Sequence, residues 1–103
     1  MHLKRVLLAA VMVLAGVSHA WAALPPNYQR VAELQAILND PAVVETFRID
    51  QPIDRIEIIK TDLYRITAGS CHVDVAIVDV PVEEGLVGPR QFKIKIVDRV
   101  CPD

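Results

Sequence analysis

Three polar side chains that stand close together in the sequence are of types that occur in hydrolytic active sites. Ser70, His72 and Asp74 occupy alternate positions, so a strand would carry all three on one face. A histidine beside a carboxylate can act as a general base with its orienting group, and a serine can act as a nucleophile. However, Ser70 is too short and badly aimed for attack, and an exposed polar strand face explains the same pattern. We therefore predict no catalytic residue and no enzymatic activity.

Ligands for a metal ion or a cofactor are also scarce. His72 is the single histidine after residue 20, and without a cluster of thiolates it cannot complete a usual zinc site. The central acidic residues lack the loop spacing of a calcium site and suit a solvated surface. These acidic residues are Asp50, Asp54, Glu57 and Asp62. The sequence has neither a Gly-rich phosphate loop nor a G-x-S-x-G motif, so we expect no metal and no cofactor.

The N-terminus has the layout of a secretory signal peptide. Lys4-Arg5 is a short basic region, Val6–Val17 is continuously apolar, and small residues follow before cleavage after Ala20 or Ala22. A retained transmembrane helix is the alternative, but the apolar run is shorter than the ~20 residues that span a bilayer. We therefore predict a periplasmic or secreted protein that keeps no stable membrane anchor after processing.

The mature chain would be one small, mildly acidic domain. The two cleavage sites leave 83 or 81 of the 103 residues, a size at which the hydrophobic core is thin. Loss of Lys4 and Arg5 leaves 9 of the 11 basic residues against 13 acidic ones, a formal charge of −4. This balance, without a basic cluster, argues against nucleic acid or an anionic membrane as the partner.

Cys71 and Cys101 are the two cysteines of the chain. In an oxidising compartment they are expected to form one structural disulfide. Two free thiols or a redox pair are the alternatives, but the spacing is not C-x-x-C. Closing this loop would stabilise the fold by roughly 3–4 kcal/mol through the unfolded state.

Helical periodicity marks the first part of the mature chain. It predicts a helix over Tyr28–Leu38 with Asn27 as its N-cap. The predicted buried stripe is Tyr28, Val31, Leu34 and Leu38, with Ile37 beside it, while Gln29, Arg30 and Glu33 face the solvent. Asp40 and Pro41 suit the N-cap and first position of a second, short helix. Its predicted inward residues are Val43, Val44 and Phe47.

From Ile53 the apolar period changes from 3.6 to 2, which predicts strands. The predicted strands are Arg55–Ile58, Tyr64–Ala68, Cys71–Val80 and Gln91–Val97. Gly69-Ser70 is either a tight turn or a bulge within one longer strand.

Alternation within the last two predicted strands conflicts with the disulfide. It places Cys71 on the buried face but Cys101 on the opposite one, so the chain would have to leave strand geometry near Asp98–Val100. The same alternation places His72 and Asp74 in solvent. It also predicts a cross-strand pair between Asp74 and a lysine of the last strand.

A helix followed by an antiparallel meander with one disulfide resembles cystatin-type folds. Arg65–Gly69 lies where the hairpin motif Q-x-V-x-G of that family would lie. Only Gly69 matches, because Arg65 replaces the glutamine and Thr67 replaces the valine. We therefore carry over no site residue and no inhibitory activity.

The elements together predict an α+β domain, with one or two helices packed on a four-stranded antiparallel meander. The chain divides into a signal peptide (1–20), a lead-in and helical segment (21–52) and an antiparallel sheet (53–103). Residues 21–103 would form one domain. The short connections predict a sequential strand order.

Pro81–Arg90 is the predicted contact surface, since apolar side chains in a long loop have no core to enter. Packing of these side chains over the sheet edge is the alternative. The candidate contact residues are Val82, Leu86, Val87 and Arg90, with Arg65 on a strand. We expect a non-catalytic interaction module that binds another envelope or extracellular protein. A small-ligand carrier with an apolar pocket between helices and sheet is the alternative.

Overall fold

The computed structural model describes residues 23–85 and 87–102. The predicted signal peptide and Leu86 lie outside the described residues. Within these ranges, no helix is both long and apolar enough to cross a membrane.

Two helices precede a four-stranded sheet. The helices are α1 (Pro26–Leu38) and α2 (Pro41–Val44), and the strands are β1 (Arg55–Lys60), β2 (Leu63–Ala68), β3 (Cys71–Asp79) and β4 (Phe92–Val100). All neighbouring strands are antiparallel and follow the order β1-β2-β3-β4. A disulfide joins Cys71 to Cys101. The predicted α+β fold with an antiparallel meander and one disulfide is confirmed.

Proline and aspartate define the starts of the two helices. The prediction of Asn27 as the first N-cap is wrong, because Pro25 occupies that position and Pro26 begins α1. Proline suits the first turn of a helix, where its missing N–H has no partner to lose. Asp40 is the N-cap of α2 as predicted, and its Oδ1 accepts a hydrogen bond of 2.8 Å from the backbone N–H of Ala42.

Both hairpins of the first three strands are tight. Ala68 pairs with Cys71 across a two-residue loop, so Gly69-Ser70 is a turn and not a bulge. Gly69 has φ of 63°, which a residue with a Cβ adopts at a cost. A Cβ there would also approach the side chain of Gln51 to 2.9 Å.

The core lies between the helices and the sheet face that they cover, which we call the inner face. Its buried residues are Ile37, Val43, Phe47, Tyr64, Ile66, Ala68, Val73, Val75 and Ile77. Phe92, Ile94 and Ile96 of β4 pack against this core, as predicted. We call the opposite, uncovered side of the sheet the outer face.

The predicted orientation of α1 is wrong in part. Ile37 is buried and Leu34 packs against the core as predicted, whereas Leu38 is 39% exposed. Tyr28 and Val31 are 62% and 47% exposed, whereas Glu33 is buried. The carboxylate of Glu33 can be buried because it accepts hydrogen bonds from Tyr64 and Gln29, and a buried charge needs such partners. In α2, Val43 is buried as predicted, but Val44 is exposed.

A bulge in β4 resolves the conflict over the disulfide. Val75 pairs with Ile96 and Asp74 pairs with Asp98, so Val97 is an extra residue. One extra residue exchanges the two faces for the rest of the strand. Cys101 therefore follows on the same face as Cys71. The expectation that the chain leaves strand geometry is wrong, since β4 continues to Val100.

Candidate functional site

The β3–β4 loop, residues 80–91, carries four of the five residues predicted to contact a partner. Val82 and Val87 are 53% and 72% exposed, so neither packs over the sheet edge. Leu86 lies outside the described residues. The loop and the strand ends line an open cleft of about 870 Å³, in which apolar and acidic side chains lie side by side. Its lining includes Asp79, Val80, Val82, Glu83, Val87 and Arg90.

Arg90 anchors this loop to two other segments of the fold. Its Nη1 and Nη2 donate hydrogen bonds of 2.9 and 3.0 Å to the two carboxylate oxygens of Asp62, in the β1–β2 turn. Its Nε donates a hydrogen bond of 2.6 Å to Oδ1 of Asp79, at the end of β3. A planar guanidinium is suited to such a forked arrangement, which fixes orientation as well as distance. The loop is therefore fixed to the body immediately before β4 begins.

The acceptors of Arg90 are positioned by local structure. Asp62 has φ of 61°, a left-handed conformation that aspartate adopts more readily than most residues. β1 has an extra residue near Ile59 where it meets this turn, and a bulge next to a left-handed residue is a common hairpin closure. Hydrogen bonding by Arg90 lowers the pKa of Asp62, and the same bond raises the pKa of Arg90.

Glu33 of α1 extends the anchor into the core. Its Oε2 lies 3.9 Å from Nη1 of Arg90, and its Oε1 accepts a hydrogen bond of 2.7 Å from the Tyr64 hydroxyl. The guanidinium of Arg30 lies over the Tyr64 ring at 5.7 Å, within cation–π distance. Burial, followed by the hydrogen bond to Glu33, raises the pKa of Tyr64 to about 12. Helix, sheet and loop thus meet in one polar network.

Arg65, the fifth predicted contact residue, lies on the outer face of β2. It donates two hydrogen bonds, of 2.8 and 3.0 Å, to the carboxylate of Asp74, which is the residue opposite it in β3. These bonds lower the pKa of Asp74. The predicted exposure of Asp74 is wrong, because it is buried.

The predicted pairing of Asp74 with a lysine is also wrong. The bulge at Val97 places Asp98 opposite Asp74, whereas Lys95 lies opposite Ala76. Asp74 pairs instead with Arg65, which lies on β2. Its guanidinium, like that of Arg90, is thus engaged within the protein.

The three polar residues considered for catalysis do not form a common site. Ser70 lies in the β2–β3 turn, His72 lies opposite Thr67, and Asp74 is bound to Arg65. Over residues 23–85 and 87–102, no three histidine, cysteine or acidic side chains are grouped as metal ligands.

Sequence patterns missed the connections made by Arg90 and Glu33. The residues of this network come from α1, the β1–β2 turn, β2, the end of β3 and the loop, so no local spacing joins them. A charged residue within a helix and an arginine at the end of a loop are ordinary surface features in a sequence. The one available signal was the apolar loop itself.

The fold and the site define a small, disulfide-bonded α+β domain that presents an anchored apolar loop. No protein-family model, no curated protein and no solved structure matches the chain.

Proposed function

We propose that the mature protein is a non-catalytic binding module, exported to the periplasm or secreted, that recognises another envelope or extracellular protein. The β3–β4 loop is its contact surface. The observation that carries this proposal is the exposure of Val82 and Val87 on a loop that Arg90 fixes to the body. The disulfide is consistent with an oxidising compartment.

Anchoring favours binding because a loop that is already ordered loses less conformational entropy when a partner covers it. In this proposal Val82, Leu86 and Val87 contact the partner. Arg90 acts as a positioning residue, because its donors are directed to Asp62 and Asp79.

The charges beside the loop indicate the chemistry of the partner. Glu83 and Glu84 are exposed next to Val82, and acidic side chains at the rim of an apolar contact select basic residues opposite them. We infer a partner surface with an apolar centre and a basic rim. Such a contact would weaken as ionic strength rises.

Affinity capture from the native envelope tests the proposal. Tagged mature protein is compared with two variants, Val87→Asp in the loop and Ile49→Asp as the matched control. Ile49 is a fully exposed apolar residue in the segment between α2 and β1, so both variants place a carboxylate where a solvated apolar side chain stood. We expect Val87→Asp to lose the captured protein and Ile49→Asp to retain it. Equal capture by both variants, or no capture after crosslinking, would refute the loop as the contact surface.

A further inference from the structure

The first strand has an unpaired edge on the side away from β2. β1 is the outermost strand of the sheet. Within residues 23–85 and 87–102, no other strand pairs with the edge of β1 that faces away from β2. The backbone carbonyl of Thr67, in β2, accepts a hydrogen bond of 2.9 Å from the N–H of Asp54 on the β1 side. Alternate residues of a strand bond to opposite neighbours, so Arg65 is bonded to β1, where its partner is Glu57. The main-chain N–H and C=O groups of Ile56 and Ile58 therefore point outward.

The side chains of β1 have a symmetric pattern around Ile56. Ile56 and Ile58 share the inner face with Ile66 and Tyr64, their partners in β2, but remain 36% and 50% exposed. Arg55 and Glu57 lie on the outer face, one residue to either side of Ile56. Within one chain they form an exposed ion pair of 3.2 Å, which pairing with a second copy would exchange for ion pairs between the copies. The edge thus offers an apolar inner side and two opposite charges on its outer side.

We propose that two copies of this protein pair through their β1 edges, antiparallel, about a two-fold axis at Ile56. Arg55 of each copy then stands opposite Glu57 of the other. The Ile56 side chains meet on the inner face, and the two sheets continue as one. This is an isologous interface, in which the same patch serves both copies.

Charge complementarity selects this register. Moving the axis to Glu57 brings two glutamates together, and moving it to Arg55 brings two arginines together, and like charges directly opposite are destabilising. Moving the axis to a point halfway between Ile56 and Glu57 would place Ile56 of one copy opposite Glu57 of the other. This register is excluded because it would pair a residue of the inner face with a residue of the outer face. One register of the edge is therefore self-complementary.

The other edge of the sheet is not self-complementary. β4 carries Lys93 and Lys95 on its outer face, on either side of Ile94. Antiparallel pairing of two β4 strands about Ile94 would bring lysine opposite lysine. Lysines on an edge strand are a common protection against such pairing. The second copy therefore pairs with β1.

The expected dimer is weak. Pairing over residues 54–58 supplies about four main-chain hydrogen bonds, because the N–H of Asp54 already donates to Thr67. It also supplies two partly solvated ion pairs, which replace the Arg55–Glu57 pair within each chain. This is a contact at the small end of protein interfaces. We therefore expect reversible dimerisation in the micromolar to millimolar range of protein concentration, with a Kd that rises with salt.

Sedimentation velocity of the mature protein from about 10 μM to about 1 mM measures this dimerisation. Glu57→Arg and Arg55→Glu each create like-charge contacts in the dimer, so each variant should raise the Kd at least tenfold. The double variant, Arg55→Glu with Glu57→Arg, restores opposite charges and should restore the dimer. A mixture of the two single variants should form a heterodimer. Arg48→Glu is the matched control, because it reverses one charge of an exposed ion pair, with Asp50, that lies outside the sheet; it should leave the Kd unchanged.

The folded state of every variant is checked by circular dichroism. Wild-type protein that remains monomeric at about 1 mM would overturn the proposal. So would a dimer that survives both single charge reversals, or one that Arg48→Glu dissociates. Capture of a strand from a different protein by monomeric wild type would assign this edge to another partner and likewise overturn self-pairing. The β3–β4 loop is not part of this edge, so loss of self-pairing leaves the proposed function untouched.

Discussion

Replacement of Arg90 by lysine tests whether this side chain fixes the β3–β4 loop. Lysine keeps the positive charge but lacks the planar fork, so it can replace one of the three hydrogen bonds that Arg90 donates to Asp62 and Asp79. The Arg90 side chain is 30% exposed and that of Asp79 is 74% exposed, so solvent screens the loss. We therefore expect the free energy of unfolding to fall by about 1 kcal/mol, well below the value for buried charged hydrogen bonds.

Urea denaturation followed by circular dichroism measures this loss, which corresponds to a fall in Tm of about 4–8 °C for a domain of this size. Hydrogen exchange of the peptide that covers residues 81–90 should become faster in the same variant. Arg48→Lys is the matched control. Arg48 makes the same forked contact with Asp50, at 3.0 Å for each bond, but both side chains are largely exposed.

The control substitution should change the free energy of unfolding by less than about 0.5 kcal/mol and leave exchange in the loop unchanged. Equal losses of stability in Arg90→Lys and Arg48→Lys would refute the assignment of Arg90 as the anchor. Unchanged exchange at residues 81–90 in Arg90→Lys would refute it as well.

Three further predictions concern the core, the disulfide and pH. Tyr64→Phe leaves the carboxylate of Glu33 short of one buried donor, so urea denaturation should show a loss of about 1–3 kcal/mol. Reduction of Cys71–Cys101 should lower the free energy of unfolding by roughly 3–4 kcal/mol in matched titrations with and without reductant. The folded-state pKa of Tyr64 is raised, so Tyr64 contributes to the free energy of unfolding below pH ~10, and this contribution is lost as pH rises toward 12. Tyr64→Phe should therefore remove this fall in stability at alkaline pH. The folded-state pKa values of Asp62 and Asp74 are lowered, so their contributions are present above the ordinary aspartate pKa and disappear as pH falls below it, which acid titration of Tm will measure.

Local patterns were sufficient to predict the sheet. Apolar residues alternate through β2, β3 and β4, and short connections leave little choice of strand order. Asp40-Pro41 likewise marks the start of α2. In each case the signal lies within a few residues of the structure that it determines.

Only part of the orientation of α1 could be predicted in this way, namely the inward positions of Leu34 and Ile37. Periodicity selected the most apolar stripe, which includes Tyr28 and Val31, whereas the fold buries Glu33. The reason is the hydroxyl of Tyr64, which is 31 residues away in the chain. A buried carboxylate becomes acceptable only when such a donor is present, and nothing near Glu33 in the sequence announces it.

The site and the disulfide show the same limit. The apolar loop was predicted, but the carboxylates that bind Arg90 come from other elements. Simple alternation contradicted the disulfide, because the bulge at Val97 has no sequence signature of its own. If the disulfide between Cys71 and Cys101 is taken as a constraint, the two cysteines must lie on the same face. One extra residue, a bulge, is then required between Ile96 and Cys101.

The proposed function requires that another protein covers the β3–β4 loop. Site-specific photo-crosslinking in the native envelope tests it most directly, with a photoreactive side chain placed at Val87 and, in a separate variant, at Ile49. We expect one discrete crosslinked protein from Val87, weakened when Arg90→Lys is added, and no such product from Ile49. The same product from both positions, or none from Val87, would contradict it.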